Sequence, residues 1–102
     1  MHYTVEFSPE AAAHAEAIHT WWKGNRPKAP RLFAAELAAA LRHVRRWPES
    51  GKLYEQEGVR QTRRLMLPKS RYQIYYWADD ATAVIRIYAV WHTSRGEGPP
   101  LP

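Results

Sequence analysis

Residues 59–95 read VRQTRRLMLPKSRYQIYYWADDATAVIRIYAVWHTSR, and this stretch decides the fold. Three runs rich in β-branched, aromatic and aliphatic side chains, 59–67, 72–78 and 83–92, are parted by two short breaks, Pro68-Lys69-Ser70 and Asp79-Asp80. Runs of this length with breaks this short predict an antiparallel meander. One face of such a sheet is buried and the other is free to bind. The same stretch holds Arg60, Arg63, Arg64, Lys69, Arg71, Arg86 and Arg95, so a basic, aromatic-lined sheet face is expected.

Upstream, residues 2–7 alternate. Tyr3, Val5 and Phe7 fall on one side and His2, Thr4 and Glu6 on the other, which predicts a half-buried strand. Ser8-Pro9-Glu10 is a helix start: a capping hydroxyl, a proline suited to the first turn, and an acid at the positive end of the helix dipole. The helix is expected over 9–23, with Ala11, Ala15, Ile18 and Trp22 on one face and Gly24-Asn25 ending it. After a short Pro-containing connector, a second helix is expected over 30–46, its apolar face formed by Phe33, Leu37, Leu41 and Val44. Trp47-Pro48 closes it, and residues 49–58 read as a loop. The predicted fold class is α+β: an N-terminal strand, a two-helix hairpin, then a three-stranded antiparallel meander. The first strand is expected to pair beside the run at 59–67. One domain covers 1–95, and 96–102 is a Gly/Pro-rich tail without regular structure.

The chain has 102 residues, a net charge of +5 and no cysteine. A reducing compartment, the cytoplasm, is the expected location, since there is neither a disulfide framework, a signal-like N-terminus nor an apolar run long enough to cross a membrane. The charge is uneven: residues 59–102 hold 7 Lys and Arg against 3 Asp and Glu. Between Arg60 and Arg71 there are 5 cations and no acid. Such a patch suits nucleic acid or an acidic protein segment.

Metal and cofactor chemistry finds little footing. His2, His14, His19, His43 and His92 show no metal-ligand spacing, and no Gly-rich phosphate loop is present, so neither metal nor cofactor is expected. What remains is a cationic and aromatic constellation: Arg63, Arg64, Lys69, Arg71, Tyr72, Tyr75, Tyr76, Trp91, His92 and Arg95. Metal-free RNA cleavage needs a base for the 2′-hydroxyl, cations for the phosphorane and a proton donor for the leaving oxygen. His92, Arg64, Arg95 and a tyrosine are of the types that supply those roles. Tyrosine and tryptophan at alternating strand positions equally serve as cross-strand packing pairs.

The order of several segments resembles the RelE/ParE superfamily of type II toxin–antitoxin toxins. These are YTVEFSPEA at 3–11, the WW pair at 21–22, Pro48-Glu49-Ser50-Gly51, VRQTRRLMLP at 59–68, RYQIYY at 71–76 and IYAVWHTSRGEGP at 87–99. The resemblance implies a small antitoxin as partner and either one of two activities or an inactive relative that only binds the antitoxin. RelE-like members are ribosome-dependent mRNA endonucleases, whereas ParE-like members inhibit DNA gyrase without cleaving RNA. Where the RelE pattern has its catalytic cations, this sequence keeps Arg64 but has Met66, Gln73 and Thr93. The closing Trp91-His92-x-x-Arg95 pattern resembles ParE-like chains, so the ParE-like activity is expected. Its implied target-binding residues are Arg63, Arg64, Lys69, Arg71, Trp91, His92 and Arg95. The alternative, RNA cleavage at the ribosome, implies His92, Arg64, Arg71 and Arg95 as the catalytic set.

Overall fold

The structure, a computed structural model, describes residues 2–100. The three expected runs are strands β3 (Arg60–Met66), β4 (Tyr72–Asp79) and β5 (Val84–His92), numbered after two earlier strands given below. They pair as an antiparallel meander. Alternation along β4 assigns the two faces of the sheet. Ile74 and Tyr76 are fully buried and belong to the main core with Ile85, Ile87 and Val90 of β5. Gln73, Tyr75 and Trp77 therefore point to the opposite, open face. Between Tyr75 and Tyr76 the β4–β5 register slips, so that Ala89 faces Tyr75 while Ile87 faces Tyr76. This bulge inserts Tyr88 into β5 without turning Ile87 or Val90 out of the core.

The helices cover the buried face. Helix α1 (Pro9–Asn25) starts as its sequence dictates: Ser8 Oγ accepts from the Ala11 N–H at 3.0 Å and Pro9 lies in the first turn. Helix α2 (Leu32–Arg46) returns beside it. Ala11, Trp22, Phe33, Ala40 and Val44 from the two helices pack into the sheet's core cluster. The Trp22 indole N–H reaches across to the Ala29 carbonyl at 2.8 Å and pins the link between the helices. No helix among the described residues is long and apolar enough to cross a membrane.

Two expectations need correction. The segment read as a loop contains a strand, β2 (Lys52–Glu57), which pairs antiparallel with β3. Gly58, at a φ of +59°, closes the turn between them. The first strand, β1 (Thr4–Phe7), does not pair beside β3; it runs parallel to β5, and the sheet order is β1-β5-β4-β3-β2. Both differences have one cause. β2 already occupies the outer edge of β3, while the fully buried Ile85 and Ile87 of β5 need cover on both sides, which Val5 and Phe7 supply at matching register. The sheet is thus five-stranded and mixed rather than a meander alone.

Side chains hold the connections that set the site. The Glu36 carboxylate on α2 accepts from the backbone N–H groups of Lys69 and Ser70, both at 2.8 Å, and clamps the β3–β4 turn. The Tyr76 hydroxyl donates to the Pro48 carbonyl and accepts from the Gly51 N–H, each at 2.9 Å. It thereby ties the start of β2 to the core.

Candidate target-binding face

The open face of the sheet is built by alternation from four strands. Arg64 of β3 stands opposite Tyr75 of β4 on one side and Lys52 of β2 on the other. Like charges directly opposed across strands are destabilising, so Lys52 and Arg64 favour an anionic neighbour. The Arg64 guanidinium lies 5.7 Å from the centre of the Tyr54 ring, and Tyr54 meets Tyr75 edge to face at 4.8 Å. The Tyr75 hydroxyl donates to Gln73 at 2.9 Å. Burial pushes this hydroxyl above the usual tyrosine range, against the pull of Arg64.

Other cations of the same face are already neutralised. Arg86 bonds Glu6 at 2.7 Å and Asp79 at 3.4 Å, and Arg60 bonds Glu57 at 2.9 Å. The expected basic face is consequently narrower than the sequence suggests. Arg63 is not on it. Side chains alternate along β3, so Arg63 turns to the helix side, where it donates to the Gly51 carbonyl and the Gln61 side chain, both at 3.0 Å.

At the other end of the sheet, Trp91 and the residues after it fold back. The Arg95 guanidinium stacks 4.0 Å from the Trp91 ring centre, and the Trp91 indole N–H donates to the Glu97 carbonyl at 2.9 Å. The tail has no regular structure but is not free: Pro99 is buried and Gly98 lies against the Tyr54 hydroxyl. Residues 101–102 of the expected tail lie outside the described residues. Lys69 and Arg71 sit exposed in and after the β3–β4 turn, Arg71 with a φ of +67°. The Arg71 carbonyl accepts from the Thr93 N–H at 3.0 Å, so this turn and the start of the tail are joined.

His92 lies apart from Arg64. It pairs with Tyr72, whose ring meets it edge to face at 4.8 Å and also meets Phe33 of α2 at 5.4 Å. The imidazole is therefore on the helix side of the sheet. Its Nδ1 accepts from the Ser94 backbone N–H at 3.0 Å and lies 2.7 Å from the Ser94 hydroxyl. An N–H aimed at Nδ1 leaves the neutral ring's proton on Nε2.

The sequence-derived residues thus separate into Arg64 on the open face, Trp91 with Arg95 at the edge of β5 where the Trp91 ring also meets His14 of α1 at 5.6 Å, a turn group (Lys69, Arg71), His92 on the helix side, and Arg63, which braces the 49–51 loop. Sequence reasoning missed Tyr54 and Lys52, because they lie on the strand read as a loop. A Tyr beside Arg64 across a hairpin becomes visible only once Gly58 is read as a two-residue turn.

In comparison with known proteins, residues 5–96 match the family described as the ParE toxin of the type II toxin–antitoxin system parDE. The fold resembles a chain from the toxin–antitoxin complex RelBE2 of Mycobacterium tuberculosis, with a TM-score of 0.61 and 24% identity, covering 90% of this chain and 99% of that one. No curated protein matches the chain. An α+β sheet capped by a helix hairpin and a family match spanning β1 to the tail lead to one assignment: the chain belongs to the ParE family of type II toxin–antitoxin toxins, within the RelE/ParE superfamily.

Proposed function

We propose that this chain is a toxin that inhibits DNA gyrase by binding it, and that a cognate antitoxin neutralises it. The contact surface is the open sheet face around Arg64, continued by Trp91 and Arg95, with Lys69 and Arg71 at its rim. The observation that carries this reading is the separation of Arg64 and His92 onto opposite faces of the sheet. Metal-free RNA cleavage needs a base, a cation and a proton donor around one phosphate. Binding needs only an accessible surface, and Lys52 and the half-buried Arg64, neither with an acidic partner among the described residues and both backed by Tyr54 and the buried Tyr75, provide one of anion-seeking character. Membership of the ParE family agrees with it.

The antitoxin follows from the family and from the structural neighbour, which is itself a toxin–antitoxin complex. Two features suit such a partner: the net charge of +5 and the outer edge of β2, which ends the sheet and can accept an added strand. The alternative is ribosome-dependent RNA cleavage. In its favour, Arg71, His92 and Ser94 gather at one end of the sheet.

Growth arrest by variants tests the proposal. Arg64→Ala combined with Arg95→Ala abolishes toxicity in a chain that still folds, while His92→Ala remains toxic. If His92→Ala alone abolishes toxicity and cuts mRNA cleavage by about 10²–10⁴, the catalytic alternative holds instead.

A further inference from the structure

A second concave feature lies on the helix side of the sheet, away from the Arg64 face. The end of α2, the 47–50 loop, the start of β1 and the β2–β3 hairpin flank a half-open cavity of about 680 Å³, a size usual for small-ligand sites. Its walls include Tyr3, Trp47 and Val59, of which Trp47 is 56% and Val59 91% exposed. Trp47 and Val59 thus place large apolar side chains at the mouth of a concave site. Gln61 and Glu49 also line it. Immediately beside it, Arg42, Arg45 and Arg46 of α2 line a neighbouring cleft, and α2 has no acid after Glu36. The Arg46 guanidinium lies 5.5 Å from the Trp47 ring centre, and Arg45 donates to the Tyr3 carbonyl at 2.9 Å, so cavity and cations form one surface. Neither the Arg42 nor the Glu49 side chain has a hydrogen bond or an ion pair among the described residues.

We propose that this surface binds a nucleotide: a base bearing an exocyclic amino group stacks on Trp47 inside the cavity, and Arg42 and Arg46 hold the attached phosphate. A tryptophan face stacks with any base, which explains its exposure. The Glu49 carboxylate accepts from an exocyclic amine, which uracil lacks, whereas the Gln61 amide oxygen already accepts from Arg63. Arg63 also lines the cavity but is taken up by the Gly51 carbonyl and the Gln61 side chain, and the Asp80 carboxylate accepts from the Tyr3 hydroxyl. The carboxylate of Glu49 disfavours a phosphate inside, whereas the arginine forks outside match phosphate geometry. The ligand is either a free nucleotide or one within a single strand, since both present the same base and phosphate. The inference is independent of the proposed gyrase contact, which uses the other face.

Isothermal titration of the full chain with AMP, adenosine, UMP and a short single-stranded oligoadenylate tests it. AMP binds more tightly than adenosine or UMP. Trp47→Ala, a change at an exposed position checked for folding by circular dichroism, weakens AMP roughly tenfold or more. Arg42→Ala with Arg46→Ala reduces AMP to the affinity of adenosine and leaves adenosine unchanged. Oligoadenylate binding at least tenfold tighter than AMP identifies the strand as the source, and equal binding identifies the free nucleotide. Absence of binding by both AMP and oligoadenylate, or binding that Trp47→Ala leaves unchanged, overturns the proposal, and UMP binding as tight as AMP overturns the role of the amino group.

Discussion

Single side chains fix the shape of the site through bonds that no charge count reveals. Tyr76 is fully buried, yet its hydroxyl satisfies both the Pro48 carbonyl and the Gly51 N–H. Burial pushes that hydroxyl above the usual tyrosine range, so it stays neutral and able to donate. Tyr76→Phe leaves both loop groups unpaired and lowers stability by about 1–3 kcal/mol, read from urea unfolding. Gly51→Ala injures the same place from the other side, because a Cβ there would sit 2.7 Å from the Tyr76 hydroxyl and 2.8 Å from the Arg64 carbonyl. Arg71 is the opposite case, an exposed cation in the left-handed region. Glycine adopts that region without a Cβ penalty but loses more chain entropy on folding, so Arg71→Gly changes stability by less than about 1 kcal/mol. Arg71→Val, β-branched at the same φ, costs more than about 1 kcal/mol in the same assay. The glycine variant therefore isolates the role of the charge in target binding.

At the scale of elements, two connections decide what the open face presents. The first is the β3–β4 turn clamped by Glu36. Partial burial raises the Glu36 pKa, but the Ser70 and Lys69 N–H groups outweigh it and hold the carboxyl below the usual range. A depressed carboxyl stabilises the fold fully above its ordinary pKa of about 4.5, and that contribution is lost as the pH falls through the folded value. Glu36→Gln is accordingly less stable than the parent at neutral pH, and urea titrations show the gap closing as the pH falls below about 4.5. The second is the tail, where a Cβ on Gly98 would collide with the Tyr54 hydroxyl. Gly98→Ala lifts the tail from Tyr54, and trypsin then cuts after Arg95 several-fold faster while the melting temperature barely moves. Legibility also divides by element. β3, β4 and β5 were readable because apolar runs met short breaks. β2, KLYEQE, was not, because no apolar alternation marks it. The alternation of β1 told which face it buries but not which sheet edge it joins, since an edge is decided by the strands competing for it. The antiparallel helix pair, by contrast, followed from the Ser8 cap and two apolar stripes.

At the scale of the whole molecule, the +5 charge is spread over two surfaces rather than gathered on one. Adjacent positions in a strand point to opposite faces, so Arg63 and Arg64 had to separate, and reading them as one patch overlooked that rule. Which cations stay free depended on partners distant in sequence: Glu6 reaches Arg86 across 80 residues and removes it from the binding surface. The open face that remains is small, cationic and aromatic, and the His92 imidazole lies behind it. The most direct test of that account is a gyrase supercoiling reaction with the purified chain, reading supercoiled product and cleaved DNA together. The expected result is lost supercoiling with accumulated cleavage complex, unchanged by His92→Ala and abolished by Arg64→Ala with Arg95→Ala. Normal supercoiling in the presence of folded chain, together with cut mRNA in a translating extract, would contradict it.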